Sequence, residues 1–175
     1  NWGLSDRGVA STTLEVAASD MAAVADAAGL RRFALLGVSG GGAIAIRYAA
    51  LHPERVSHLV LVGCFARGGL HRGDASITVQ HLDAFSRLAE EGWAQDNAAF
   101  RQIMTSQMYP GASADEMRSF NDMQRVACTP QEAANIRRVI ADYDATAELR
   151  QVRCPTLVLH NPHDAMVPFE EGRLI

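Results

Sequence analysis

The stretch Leu35-Leu36-Gly37-Val38-Ser39-Gly40-Gly41-Gly42-Ala43 passes from an apolar run into a small-residue run through a serine set among glycines. Just upstream, Phe33, Ala34, Leu35 and Leu36 are continuously apolar, too few for a typical helix and bounded by glycine, which predicts a strand buried on both faces as in a parallel sheet. Downstream, residues 40–51 alternate small side chains with Ile44, Ile46 and Tyr48 and stop at His52-Pro53, where proline cannot continue a helix. A serine hydroxyl is a poor nucleophile in water, so it needs exposure, a fixed direction, a base and oxyanion donors. Gly-x-Ser-x-Gly on a strand-to-helix turn supplies the first two. Ser39 is expected on a strained bend, with Gly37 and Gly41 lacking the Cβ atoms that would collide where strand and helix pass closely. The Gly40 backbone N–H is then the expected oxyanion donor, aided by the positive end of the helix. A phosphate-binding turn is the competing reading, but Gly-x-Gly-x-x-Gly is not matched and no Gly-Lys-Ser/Thr follows.

Working outward, Leu14, Ala17, Met21, Val24, Ala25 and Ala28 recur at spacings of three and four, which predicts a one-faced helix over 12–28. Thr12 and Glu15 give it a capping-box start and Gly29 a stop. Residues 58–63 and 156–160 read as two further buried strands. Between them the texture changes to Ala, Gln, Met and Glu, with helices expected near 77–91, 93–108, 114–126 and 130–141. Ser113 with Glu116, and Thr129-Pro130 with Glu132, are helix-start signals. The fold class is therefore α/β: a parallel sheet flanked by helices, with a helical lid inserted between two strands. The expected division is core over 1–65, lid over 66–150 and core again over 151–175, with Gly68-Gly69 through Gly73 as a flexible connector.

Composition narrows the functional classes. The 175 residues are 48% hydrophobic and 21% charged, an ordinary globular balance, with a formal net charge of -4. That charge, and the lack of any Lys/Arg run, argue against nucleic acid or an anionic membrane as partner and favour a small-molecule substrate or ligand. Cys64, Cys128 and Cys154 are odd in number and widely spaced, so neither a disulfide framework nor a metal site is expected, and the cysteines read as reduced thiols of a cytoplasmic protein. No membrane span or signal peptide is expected. The chain opens on Asn1 rather than Met and closes on Ile175 within an expected helix from about Glu170, so it reads as a piece of a longer protein.

Several segments together resemble the α/β-hydrolase family: Trp2-Gly3-Leu4-Ser5-Asp6-Arg7, the 35–43 core, His52-Pro53-Glu54-Arg55-Val56, the strand up to Gly63, and Cys154-Pro155-Thr156-Leu157-Val158-Leu159-His160 through Asp164-Ala165-Met166-Val167-Pro168. The wording over 62–69 and 168–173 is similar to a subgroup fused to a cyclase or a helix-turn-helix regulator. The resemblance implies the chain order nucleophile, acid, histidine. It places the acid at Asp164, in the loop after the third strand and ahead of Val167-Pro168. Asn161-Pro162-His163-Asp164 is also a plausible turn with no catalytic duty. Cys64-Phe65-Ala66-Arg67 holds no carboxylate, so the family's alternative acid position is empty.

The histidine is the departure, because residues 165–175 contain none. His52, His58, His71, His81 and His160 sit at a helix end, in strands or in the lid and its connector. His163 adjoins Asp164 but is poorly placed to act as its partner. The base and the second oxyanion donor are therefore expected outside these residues. In the complete protein the implied activity is that of a serine hydrolase acting on a small ester or related acyl compound, without metal or organic cofactor. The alternative is a ligand-sensing domain of a regulatory protein. Met104, Met108, Met117 and Met123 fall at helical spacing in the lid and read as core, with an adaptable pocket roof as the other possibility. Glu90-Glu91 and Glu170-Glu171 read as solvated charges. A sheet of only three strands would leave strand edges and one apolar face open, which favours homo-oligomers or aggregation.

Overall fold

A computed structural model describes residues 2–8, 13–73 and 77–175. The chain divides into two compact units: one combines residues 12–74 with 139–175, the other 1–11 with 75–138. The stretches 66–73 and 139–150, expected as lid, fall in the unit that holds the sheet.

In the sheet-bearing unit, helix α1 (Leu14–Ala27) leads to strand β1 (Phe33–Val38), helix α2 (Gly41–Leu51) and strand β2 (Val56–Val62). Strand β3 (Thr156–Leu159) and the short helix α7 (Phe169–Leu174) complete it. Thr12 lies outside the described residues. The α1 cap is Thr13, whose Oγ1 accepts from Val16 N at 3.3 Å. Gly29, at φ +67°, turns the chain out of α1, as its position after the last periodic residue requires.

The sheet runs β1-β2-β3, every pair parallel. Val38 pairs with Val62 and Val62 with Leu159, so all three strands end in one row. Beneath one face lies α2, where Ala43, Ala45, Ile46, Tyr48 and Ala49 are buried against Val56, Leu59, Leu61, Cys64 and Phe65. Small alanines let the helix lie close to the strands, and the burial of Ile46, Leu59 and Leu61 supplies about 1.5–3 kcal/mol per side chain. Arg47 fastens α2 on its outer side, reaching Glu148 at 2.5 Å and Glu15 at 3.0 Å.

The opposite face corrects the expectation of strands buried on both sides. Leu36 and Val38 are 60% and 56% exposed, and Leu157 and Leu159 are 52% and 48% exposed. The register aligns Leu36 with Val60 and Leu157, and Val38 with Val62 and Leu159, so these side chains make one open apolar patch. A continuous apolar run cannot by itself say whether a second layer is present.

The other unit is helical: α3 (Val79–Gly92), α4 (Ala99–Met108), α5 (Ala114–Ala127) and most of α6 (Pro130–Ala141), whose last three residues belong to the sheet-bearing unit. Ser113 and Glu116 form the expected capping box, and Glu132 accepts from Thr129 N at 2.8 Å. Thr78 and His81 form another box that the sequence reading did not single out. The unit is joined through polar groups as well as apolar ones. The fully buried Arg101 donates to the carbonyls of Trp93, Gln95 and Asn121. Thr105 links Asn121 and Gln124. Among the four methionines, Met104 is buried, whereas Met108 and Met123 are half exposed, so the expectation of core holds only for Met104 among these three. No helix among the described residues is long and apolar enough to cross a membrane.

The packing of the first turn of α2 on the residues after β2 yields a prediction. A Cβ at Gly42 would lie 2.5 Å from both Cβ and Sγ of Cys64, whereas one at Gly41 would meet nothing within 4 Å. Gly42→Ala is expected to lose about 1–3 kcal/mol in denaturant unfolding through overpacking, and Gly41→Ala to be neutral or slightly stabilising. Equal stability of the two variants would refute this account of the packing.

Candidate active site at the carboxyl edge of the sheet

The β1–α2 junction is a sharp backbone event. Ser39 has φ +51°, and it is the sole non-glycine residue with positive φ among the described residues. Left-handed backbone costs an L-residue roughly 1–2 kcal/mol, so the surroundings must hold it there. They do so at both ends. Ser39 N donates to Val62 O at 3.0 Å, extending the sheet ladder by one residue, and Ser39 O accepts from Gly42 N at 2.9 Å, opening the helix. The side chain at this bend is exposed.

Three glycines make room, but not the pair that the motif suggests. A Cβ at Gly37 would sit 3.0 Å from Gly42 Cα and Leu61 Cδ2 and 3.1 Å from Ala45 Cβ. A Cβ at Gly42 would strike Cys64, and one at Gly40 would press on Ile140 at 3.1 Å. Gly41 faces open space, so the steric reason given for it is corrected: the tight passage falls one residue later, at Gly42. The run Gly40-Gly41-Gly42 was visible in the sequence, but which of its members meets β2 depends on helix phase. Cys64, wedged beneath Gly42 with its thiol near the carbonyls of Gly37 and Val62, is fully buried, and that burial pushes its pKa up to about 11. It packs as a small apolar group with no nucleophilic character at neutral pH.

Gly40 is the residue before α2, and its backbone N–H has no acceptor among the described residues. It stands beside Ser39 at the helix start, where backbone N–H groups and the helix dipole favour an anion.

Asp164 lies past the end of β3. Asn161 does form the turn, accepting from Asp164 N at its carbonyl and from His163 N at its side chain. Asp164 goes further. Its Oδ1 accepts from the amides of Met166 at 2.8 Å and Val167 at 2.9 Å. Its Oδ2 lies over Gly63, where a Cβ would come within 3.2 Å. Gly63 has φ +55° and follows β2, the strand between those that lead to Ser39 and to the Asp164 loop. Ser39 follows β1 and Asp164 lies in the loop after β3 with Oδ2 over Gly63, so both stand at the same edge of the sheet.

No histidine side chain among the described residues hydrogen-bonds Ser39 or Asp164. His52 packs on Tyr48 with ring centroids 4.7 Å apart, His58 is exposed on β2, His71 bonds Asp142, and His81 caps α3. His163 is exposed on the turn. His160 is buried, with Nε2 3.0 Å from Val167 O and 3.9 Å from Asp164 Oδ2. No group of three His, Cys, Asp or Glu side chains among the described residues is placed to hold a metal ion.

Known proteins resemble this chain in sequence and in fold. The chain is 25% identical over 152 residues to a 2-hydroxy-6-oxo-6-phenylhexa-2,4-dienoate hydrolase of Comamonas testosteroni, covering 84% of this chain and 51% of that protein. It is 31% identical over 146 residues to a pimeloyl-(acyl-carrier protein) methyl ester esterase of Nitrosomonas europaea, covering 78% and 55%. The chain therefore spans about half the length of these curated relatives. Among solved structures, a bromoperoxidase from Bacillus anthracis superposes with a TM-score of 0.82 at 21% identity, over 99% of this chain and 65% of that one. An esterase from Exiguobacterium antarcticum gives 0.80 at 24% identity, over 99% and 64%. The model of the alpha/beta hydrolase fold matches residues 1–173, so with its parallel sheet and its strand–serine–helix turn the chain belongs to the α/β-hydrolase family.

Proposed function

We propose that the complete protein is a serine hydrolase of a small ester or related acyl compound, with Ser39 as nucleophile. The observation that carries this reading is the left-handed Ser39 backbone at the β1–α2 bend, with an exposed serine beside the Gly40 amide, which has no acceptor among the described residues. Strain of this kind persists only where the surrounding structure over-determines it, and it gathers at functional sites. The names of the two curated relatives, one a hydrolase and one a methyl ester esterase, favour catalysis over the ligand-sensing alternative.

In the proposed reaction Ser39 Oγ adds to the substrate carbonyl carbon as its proton passes to a histidine base. The carbonyl oxygen gains the negative charge and accepts the Gly40 N–H. The oxyanion then collapses, the alcohol leaves with the proton from the base, and an acyl-Ser39 ester remains. Water, deprotonated by the same base, releases the acid and restores the hydroxyl. Asp164 holds the histidine in the tautomer that leaves its other nitrogen free for Ser39, with Oδ2 as the accepting oxygen. The base and a second oxyanion donor are proposed to come from parts of the protein outside these residues, the helical unit to act as the lid, and the enzyme to work in the cytoplasm.

The test is labelling of the complete reading frame with a serine-reactive phosphonate. Ser39→Ala is expected to abolish labelling and Asp164→Asn to slow it by about 10³-fold or more. Equal labelling of wild type and Ser39→Ala would end the proposal.

The 175 residues alone are expected to show negligible hydrolysis of p-nitrophenyl acetate. Turnover that disappears in Ser39→Ala would instead assign the base to a histidine within the chain, with His163 the first to substitute. Self-association is also expected through the open patch of Leu36, Val38, Leu157 and Leu159, read as a mass above the monomer in light scattering.

A further inference from the structure

His160 is a buried titratable group that the proposed reaction does not use. It follows β3 and stands beside Gly63, since Gly63 N donates to Leu159 O. Its side chain is only 3% exposed. The space it fills is shaped for it: a Cβ at Gly172 would lie 2.5 Å from Nδ1 and 2.9 Å from Cγ, and the Phe169 ring meets the imidazole edge-on at 5.8 Å.

The hydrogen-bond arithmetic fixes the direction of one contact. A carbonyl oxygen only accepts, so the 3.0 Å contact to Val167 O requires the proton on Nε2. Nδ1 is buried with no partner among the described residues. At 3.9 Å, Asp164 Oδ2 is too far for a hydrogen bond to Nε2 and keeps its lone pairs for another group.

Val167 is the shared member. Its N–H is held by Asp164 Oδ1 and its C=O by His160 Nε2, and the residue is 3% exposed. Oδ1 also takes the Met166 N–H. The loop from His160 to Val167 is thus closed by two side chains acting on one peptide segment. We propose that His160 is a positioning residue: by holding Val167 it fixes the Asp164 carboxylate, with Oδ1 on the two amides and Oδ2 over Gly63, toward the Ser39 side of the sheet edge. Its catalytic meaning rests on Asp164 being the acid of the proposed function, but the holding of the carboxylate does not.

The experiment compares wild type, His160→Gln, His160→Leu and His160→Asn by ¹⁵N NMR and amide hydrogen exchange. Glutamine places an N–H near the position of Nε2, leucine removes the donor, and asparagine stays polar but is too short to reach Val167 O. In His160→Gln the Met166 and Val167 amides are expected to stay downfield and protected. In His160→Leu and His160→Asn both are expected to move upfield and exchange about tenfold faster, as loss of one hydrogen bond implies, while the Ser39 and Gly63 amides hold their shifts. Unmoved Met166 and Val167 amides in His160→Asn, or equal loss in His160→Gln and His160→Asn, would overturn the proposal. Asparagine decides the matter if the leucine variant does not fold. In the complete reading frame, phosphonate labelling of His160→Asn is expected to slow at least tenfold and that of His160→Gln to stay close to wild type, and equal rates would remove the catalytic role. Labelling that ignores Ser39→Ala would sink the hydrolase reading, yet the amide measurements would still decide whether His160 holds the carboxylate.

Discussion

The geometry of the whole site depends on one constraint: a strand must end and a helix begin within two residues, while the residue between them carries a side chain on left-handed backbone. At Ser39 the strain is met by saturating its backbone, the N–H given to Val62 and the C=O to Gly42. It is also met by burial on either side. Helix α2 places Ala43, Ala45, Ile46, Tyr48 and Ala49 in the core, and β2 presents Leu59 and Leu61 to them. Relaxing φ at Ser39 would swing α2 away from that surface, so the roughly 1–2 kcal/mol of strain is held by a larger sum of apolar contacts. The bend is held by the core and by these two backbone hydrogen bonds together.

The same constraint explains why Gly42 and Cys64 belong together. For α2 to start so soon after β1, its first turn must lie almost on the residues after β2, and the sulfur of Cys64 occupies the space that a side chain on Gly42 would take. Burial raises the thiol pKa to about 11, so the nearest sulfur to the site stays protonated and does not compete with the serine.

Sequence order was informative where chain-local physics decides the outcome. The start of α5 at Ser113 and Glu116, the stop of α1 at Gly29 and the bend at Ser39 each depend on residues within a few positions, and each was legible. Phase and layering were not. The motif drew attention to Gly41, but helix rotation brings Gly42 to β2. Phe33 to Leu36 read as doubly buried, but no residue in that run reports whether a second layer covers Leu36. His160 read only as the end of a strand, because its value lies in Val167 seven residues on, and nothing local signals that a carbonyl there needs a donor.

The parallel register carries the argument from fold to site. Because Val38, Val62 and Leu159 end in one row, whatever follows each strand is delivered to the same edge: a strained serine after β1, a positive-φ glycine after β2, and a carboxylate loop after β3. Gly63 matters here through what it lacks, since any side chain would intrude on Asp164 Oδ2. The carboxylate thus has Oδ1 engaged by the Met166 and Val167 amides and Oδ2 lying over Gly63. Holding Oδ1 on two amides gives the Asp164 carboxylate one direction at that edge, which is what the orienting role proposed for it needs.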